Sequence, residues 1–163
     1  MGKNHLTHLD KNGHAHMVDI GAKPDSERSA SAYGEVKITP GTMEIIKNGY
    51  SKKGDVLTVA QLAGIMGAKK TSELIPLCHP LQLTHIVVNL TLKEELPGIT
   101  IEATCKTRGQ TGVEMEALTA VTIAALTVYD MVKAIDKHMR IQNIQLLEKH
   151  GGLSGDVVNT LES

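Results

Sequence analysis

Residues 117–129, ALTAVTIAALTVY, form the segment that most restricts how this 163-residue chain can fold. The run carries no charged residue, and a helical pattern extends around it from Val113 to Lys137. A helix that is apolar on every side has to be covered on every side. Packing on a single sheet would leave half of the helix exposed to solvent, so the sequence predicts a subunit interface as well as a sheet.

Periodicity and turn residues predict the remaining elements. Gly49 closes an early helix, Asp55 caps the next one, and Pro97-Gly98 turns a β-hairpin with one buried face. The predicted order is a strand over residues 34–39, helices over 42–48 and 56–66, strands over 83–93 and 98–107, the long helix, and a strand over 139–147. This order predicts an α+β fold, a ferredoxin-like antiparallel sheet with helices packed on one face.

The two ends of the chain lack this patterning. We expect residues 1–32 to be a flexible N-terminal arm that meets the body at Met17–Ile20, residues 33–148 to be a single catalytic α+β domain, and residues 149–163 to be a flexible tail. The arm carries four histidines at mixed spacing, which favours a solvated arm over a metal site: His5, His8, His14 and His16.

Composition excludes several classes of partner. A net charge of −1 and a pI of about 6.7 argue against a surface that coats nucleic acid. Three Tyr with no Phe or Trp argue against aromatic stacking as the main device for recognising a base. Cys78 and Cys105 are too few for a disulfide framework, and we find no signal peptide or membrane span. We therefore expect a cytoplasmic protein with free thiols.

Cys78 and His79 lie between two prolines, Pro76 and Pro80, which stiffen the loop that holds them. Rigid placement of a thiol and an imidazole suits a binding or catalytic loop. A buried turn in which a backbone carbonyl satisfies His79 explains the pattern equally well. The paired ligand spacing of zinc sites is absent, and adjacent residues in an extended chain point apart, which disfavours a Cys-His dyad.

Charged residues flank this loop in sequence. Lysines at positions 52, 53, 69 and 70 would form a cationic pocket for phosphate groups if they lie beside it, although solvated charge at helix ends is the commoner role. Glu114 and Glu116 begin the long helix, where negative charge also suits the helix dipole. Asp130 and Lys133 are one turn apart near its other end, where burial or nearby lysines would lower the pKa of Lys133.

Helix geometry restricts how these groups combine. Glu116 and Asp130 are 14 residues apart, which is about 21 Å along a straight helix. One compact site in a single subunit therefore cannot use both. Either the glutamates precede the helix and fold back, or two subunits complete each site. The apolar helix favours the second arrangement.

Several long motifs resemble those of the MoaC family, the cyclic pyranopterin monophosphate synthases of molybdenum cofactor biosynthesis. They are SELIPLCHPL, TGVEMEALTA and YDMVKAIDK, together with KGDV at residues 53–56 and MVDI at residues 17–20. The resemblance implies a ferredoxin-like fold, a hexamer built as a trimer of dimers, and sites at a dimer interface. It implies a lyase that converts 3′,8-cyclo-7,8-dihydroguanosine triphosphate to cyclic pyranopterin monophosphate and releases diphosphate.

The same resemblance implies roles for individual residues. Asp130 would be the catalytic acidic residue with Lys133 as its partner, and Arg28 in the arm is a weaker match to a basic family position. The substrate-binding residues would be Leu77, Cys78, His79, Met115, Glu116, Lys53 and Lys69. No metal site or cofactor is implied, and Mg²⁺ brought in with the triphosphate stays open. One departure is Leu153, where the family motif GGKSG has lysine.

Two other classes of function stay open. A non-catalytic nucleotide-binding module would use the same cationic pocket and bind without turnover. A metal-dependent hydrolase would use Cys78, His79 and the arm histidines and would lose activity with chelators.

Overall fold

The computed structural model describes residues 7–49, 55–152 and 155–160. Its elements are β1 (Ser26–Lys37), α1 (Pro40–Lys47), α2 (Val56–Lys69), α3 (Thr71–Leu74), β2 (Leu83–Lys93), β3 (Gly98–Gly109), α4 (Glu114–Val132), β4 (Arg140–His150) and β5 (Val157–Val158). The strands form one antiparallel sheet in the order β2-β3-β1-β4-β5, with α2 and α4 packed on it. The predicted α+β fold is confirmed.

The central strand begins earlier than its sequence pattern suggested. β1 begins at Ser26, so residues 26–32, assigned to the flexible arm, lie in the sheet, where all of them pair with β3 and residues 29–32 also pair with β4. Their side chains are too small and polar to give a clear strand signal. Later in the same strand α4 packs so closely that a Cβ on Gly34 would lie 2.6 Å from Val121 Cγ1.

α2 begins and packs as its sequence indicated. The Asp55 carboxylate accepts hydrogen bonds from the backbone N–H groups of Leu57 and Thr58, which caps the helix. Two glycines then let α2 approach α4 closely. A Cβ on Gly64 would lie 2.9 Å from the Ala120 carbonyl oxygen, and one on Gly67 would lie 2.8 Å from the Ile123 side chain.

α4 is the central core helix. It is long and apolar enough to cross a membrane by length and composition, but 56% of the qualifying stretch is buried inside the domain, as expected of a core helix. Within this chain the helix is not covered on every side, since Leu126 is half exposed. α2 exposes further apolar side chains: Val59, Leu62 and Met66.

The ends of the chain also differ from expectation. α4 ends at Val132 rather than near Lys137, and β4 extends to His150, so the predicted tail begins inside a strand. β5 pairs with that strand, and the Asn159 amide donates to the Leu146 carbonyl. In the arm, Leu9 and Ala15 form a β-bridge around a turn. The short helix α3 and strand β5 were not predicted.

Candidate active site

A pocket of about 140 Å³ forms where the loop after α3 meets the start of α4. Five residues proposed to bind substrate line it: Leu77, Cys78, His79, Met115 and Glu116. His8, Leu81, Thr111, Gly112 and Glu114 complete the wall. The fold thus brings two distant motifs of the sequence into one place.

His79 fixes the loop to the N-terminal segment. Its Nε2 lies 2.8 Å from the Val18 carbonyl oxygen. Because a carbonyl only accepts, Nε2 carries the proton, and in the neutral ring Nδ1 is left as an acceptor. The expected contact of Met17–Ile20 with the body is therefore present. His79 is both satisfied by a backbone carbonyl and part of the pocket wall.

Glu116 is a buried carboxyl in the pocket wall. Only 4% of it is exposed, and its Oε2 atom has no hydrogen-bond partner among the described residues. Burial, with a smaller contribution from the charge of Glu114, raises the pKa of Glu116 to about 7. Both protonation states are therefore populated near neutral pH, so this carboxyl can donate or accept a hydrogen bond.

Glu114 links the pocket to the end of β4. Its Oε1 atom lies 2.7 Å from Lys149 Nζ in a partly buried ion pair. The neighbouring Gly112 leaves room for the carboxylate, because a Cβ there would lie 2.1 Å from Glu114 Oε2. Sequence reasoning missed Lys149, which was expected in the flexible tail. No local sequence signal marks it, because its position depends on how β4 closes against β1.

A second groove, of about 410 Å³, continues from the pocket. The two share Thr111, Gly112 and Glu114, and the second is also lined by Lys23, Arg28, Gln110 and Lys149. Arg28 lies in β1, not in a mobile arm, and is buried. Its Nε donates to the Gly109 carbonyl and its Nη1 to the Gly151 carbonyl, both at 3.3 Å. The pocket and the second groove together form one cleft, which carries carboxyl groups at one end and cations at the other.

Neither cysteine has the environment of a nucleophile. Burial, with the charges of Glu116 and Glu114, raises the pKa of Cys78 above its ordinary value. Burial in the core raises the pKa of Cys105 to about 12. Both thiols are therefore protonated at neutral pH.

Asp130 and Lys133 do not join this cleft. They form an ion pair, Lys133 Nζ to Asp130 Oδ1 at 2.7 Å, and both are exposed at the far end of α4. The hydrogen bond that Lys133 donates to Asp130 raises the pKa of Lys133, so the lowering expected from the sequence is not found in this chain. The reason is exposure: within one chain the lowering of the Lys133 pKa by burial is smaller than the raising effect of the Asp130 carboxylate.

The helix excludes the arrangement in which the glutamates precede it and fold back. α4 begins at Glu114, so Glu114 and Glu116 are helical and do not fold back toward Asp130. One other predicted residue, Lys69, is not brought to the pocket wall. Lys69 is exposed at the end of α2, and Lys53 lies outside the described residues, as does Leu153.

The described part of the chain contains no group of three His, Cys, Asp or Glu side chains that could hold a metal ion. His8 lines the pocket, whereas His14 pairs with Asp10 in the arm turn, and His5 lies outside the described residues. The absence of a resident metal stays a prediction.

Comparison with known proteins gives one consistent result. A sequence model described as the MoaC family matches residues 17–152. A protein of Dinoroseobacter shibae is 60% identical over 150 residues, covering 92% of this chain and 95% of its own. One from Cereibacter sphaeroides strain KD131 is 59% identical, with 92% and 94% covered, and one from Brucella ovis is 54% identical, with 93% and 92% covered. Each is named cyclic pyranopterin monophosphate synthase.

Proposed function

The chain belongs to the MoaC family, and we propose that it is a cyclic pyranopterin monophosphate synthase, a lyase of molybdenum cofactor biosynthesis. It converts (8S)-3′,8-cyclo-7,8-dihydroguanosine 5′-triphosphate to cyclic pyranopterin monophosphate and releases diphosphate. The observation that carries this proposal is the pocket itself. The Leu77–His79 loop and the Met115-Glu116 pair, far apart in sequence, line one pocket in a chain 60% identical to an enzyme of that name.

The pocket receives the guanine-derived part of the substrate. A ring that carries both N–H and C=O groups requires donors and acceptors in fixed positions. Glu116 can supply either, because its pKa is about 7, and His79 Nδ1 supplies an acceptor. Leu77 and Met115 provide apolar walls, and Cys78 is a protonated thiol that packs beside them.

Arg28, Lys53 and Lys69 hold the triphosphate. Arg28 is a buried guanidinium at the cationic end of the cleft, and the described residues offer it carbonyl partners but no carboxylate within ion-pair distance. Such a group favours an anionic ligand. As the ribose hydroxyl attacks the α-phosphate, these cations neutralise the charge that develops on the departing diphosphate.

Asp130 and Lys133 come to each site from a neighbouring subunit. The support is that α4 places Asp130 about 21 Å from Glu116, and that Val59, Leu62, Met66 and Leu126 leave an apolar surface on the helical side. At the interface, burial would lower the pKa of Lys133 and allow it to exchange protons with substrate while the purine-derived ring opens and recloses. The assembly is a homo-oligomer, a hexamer made of three dimers.

The enzyme works in the cytoplasm without a resident metal or cofactor, and neither nucleic acid nor membrane is a partner. Any Mg²⁺ arrives with the triphosphate. The near-neutral composition and the lack of a three-ligand cluster among the described residues support this part of the proposal.

The test is a reaction with purified protein and enzymatically prepared cyclic nucleotide. We expect pterin product and diphosphate in equal amounts, and undiminished activity after treatment with a chelator followed by added Mg²⁺. Binding without either product would indicate the non-catalytic module. Activity that returns with Zn²⁺ and not with Mg²⁺ would indicate a metal-dependent hydrolase.

A further inference from the structure

The segment before β1 contains a β-hairpin, and the residue at its start lines the pocket. Leu9 and Ala15 form an antiparallel bridge, and the backbone N–H of His16 donates to the His8 carbonyl oxygen at 3.0 Å. These contacts hold the two ends of residues 8–16 together. The backbone of His8 is therefore fixed by hydrogen bonding, and its side chain is among those that line the pocket.

The turn of this hairpin is fastened by its own side chain. Oδ1 of Asp10 accepts hydrogen bonds from the backbone N–H groups of Asn12 and His14, both at 2.8 Å. Gly13 supplies the left-handed conformation that the turn requires, with φ +81°. The hairpin is thus a defined local structure that residues 10–14 stabilise themselves.

The hairpin is also attached to the wall of the pocket. Just after His16, the Val18 carbonyl oxygen accepts the hydrogen bond from His79 Nε2 at 2.8 Å. His79 belongs to the loop that forms one wall of the pocket. This hydrogen bond holds the hairpin against that loop, which explains how His8 comes to line a pocket built from distant parts of the chain.

The three histidines that the structure describes in this segment have different surroundings. The His14 ring pairs with Asp10, Nδ1 to Oδ2 at 3.3 Å, and the His16 side chain is exposed and does not line the pocket. The His8 ring lines the pocket, and within the described residues it forms no hydrogen bond or ion pair. Because a neutral imidazole carries one donor and one acceptor, His8 can offer both to a molecule in the pocket.

The polar residues of the pocket differ in depth. Glu116 is 4% exposed, and its Oε2 atom has no hydrogen-bond partner among the described residues. Cys78 and His79 are half-buried, whereas His8 is exposed. A ring bound here would meet Glu116 on its inner side and His8 at the mouth. A few polar groups around an apolar wall are the usual means by which a pocket fixes the orientation of its ligand.

We propose that His8 is a further substrate-contacting residue, which hydrogen-bonds the guanine-derived ring at the mouth of the pocket and covers it from solvent. A purine-derived ring suits this contact because it carries donors and acceptors along its edge. The assignment of that ring to this pocket rests on the proposed function.

Steady-state kinetics with the cyclic nucleotide tests this role. His8→Ala should raise KM about ten-fold, the loss expected when one hydrogen bond to the bound ring is removed. His8→Gln, which keeps a donor and an acceptor, should recover much of that loss. The matched control is His16→Ala, which removes an exposed histidine of the same hairpin and should behave like the unmodified protein. Equal thermal midpoints show that the variants are folded.

Binding of GTP, measured by isothermal titration calorimetry, gives a readout that does not require turnover. GTP carries a guanine ring and a triphosphate, and inorganic triphosphate carries only the second group. His8→Ala should weaken GTP binding about ten-fold. It should leave the affinity for inorganic triphosphate unchanged, because His8 lines the ring pocket and not the groove that contains Lys23 and Arg28. His16→Ala should change neither affinity.

Unchanged KM in an active His8→Ala enzyme, unchanged GTP affinity, an equal loss in His16→Ala, or a parallel loss of triphosphate affinity would overturn the inference. A protein that forms no pterin product, yet binds GTP more weakly after His8→Ala, would reject the proposed function and leave this contact standing. An active enzyme that is indifferent to His8→Ala would do the reverse. Failure to bind or convert either nucleotide would reject both.

Discussion

Glu116 and Asp130 lie on one continuous helix, α4, which holds them about 21 Å apart. Glu116 is buried in the pocket wall, and Asp130 is exposed and paired with Lys133 at the other end. A substrate that contacts Glu116 therefore cannot reach Asp130 of the same chain. This separation is the reason we propose that two subunits complete each site. The role of each residue can then be tested by substitution.

Glu116 should make the stability of the protein depend on pH near neutrality. Its pKa is raised to about 7, so the folded state holds a proton that the unfolded state has already released. This contribution to the free energy of unfolding is fully present below the pKa that Glu116 has in the unfolded chain. It is lost, by at most about 3 kcal/mol, as pH rises through about 7. Denaturant titrations at pH 5, 6, 7 and 8 measure it.

Glu116→Gln, which stays neutral, should remove that decline and be more stable than the unmodified protein at pH 8. The exposed Glu102 provides a control, since Glu102→Gln should leave the pH profile unchanged. Parallel profiles for Glu116→Gln and the unmodified protein would show that the carboxyl is ionised in the folded state at neutral pH.

Gly152→Ala should disturb Arg28. A methyl group there would meet the guanidinium, and the residue has φ +89°. Gly155 provides a control that separates backbone strain from the clash with the guanidinium, because it has φ +77° but nothing within 4 Å of the position that a methyl group would take. We expect Gly155→Ala to cost about 1–2 kcal/mol from backbone strain alone. Gly152→Ala should cost more and raise KM, because Arg28 is displaced from the phosphate groups. Equal effects of the two substitutions on stability and KM would exclude this role.

Cys78 should be dispensable for the chemical step. Burial and the charges of Glu116 and Glu114 raise the pKa of its thiol, so the thiolate is scarce at neutral pH. Cys78→Ser should keep kcat within about ten-fold, as expected for a residue that only packs beside the ligand. Glu116→Gln should accelerate alkylation of Cys78 by iodoacetamide, measured by mass spectrometry at pH 8. Complete loss of turnover in a folded Cys78→Ser protein would contradict this assignment.

Asp136 should anchor the turn between α4 and β4 to α1. Burial raises the pKa of Asp136, but hydrogen bonds outweigh it and lower the pKa: its carboxylate accepts from Thr39 N at 2.8 Å, Thr42 Oγ1 at 3.2 Å and His138 N at 3.0 Å. The stability that the Asp136 carboxylate provides is present above its pKa in the unfolded chain. It is lost as pH falls through the lower pKa that Asp136 has in the folded protein.

Asp136→Ala should therefore cost about 2–4 kcal/mol, because the buried Thr42 hydroxyl and two partly buried backbone N–H groups lose their acceptor. Asp55→Ala removes a comparable but exposed backbone acceptor and should cost about 1 kcal/mol. Thermal or denaturant unfolding at pH 7 measures both. A smaller loss for Asp136→Ala than for Asp55→Ala would be inconsistent with this account.

The sequence predicted those parts of the fold that leave a local signal. Asp55 marks a helix start because its carboxylate bonds to backbone N–H groups a few residues away. β3 shows a clear alternation because one of its faces is buried. The first part of β1, before Gly34, gives no such signal: Ala30 and Ala32 are buried by strands and a helix that are distant in sequence, so this part of the strand is defined by its neighbours.

The residues of the site also divide into those that a sequence motif marks and those that only the folded chain brings into place. The Leu77–His79 and Met115-Glu116 motifs could be recognised from sequence, and the family resemblance implied that both bind substrate, whereas the folded chain shows the pocket that they share. Lys149 and the burial of Arg28 could not, because both depend on how β4 and the Gly151-Gly152 turn close against β1. The raised pKa of Glu116 likewise results mainly from three-dimensional burial, to which the charge of its sequence neighbour Glu114 adds a smaller part.

The most direct test of the shared site is complementation between two inactive variants. Glu116→Gln and Asp130→Asn are purified separately, mixed in equal amounts under conditions that exchange subunits, and assayed for pterin formation. If each site takes Glu116 from one subunit and Asp130 from another, random mixing restores about a quarter of the sites to full composition. We predict turnover near that level. Activity that stays at the sum of the two separate variants after verified subunit exchange would contradict the account.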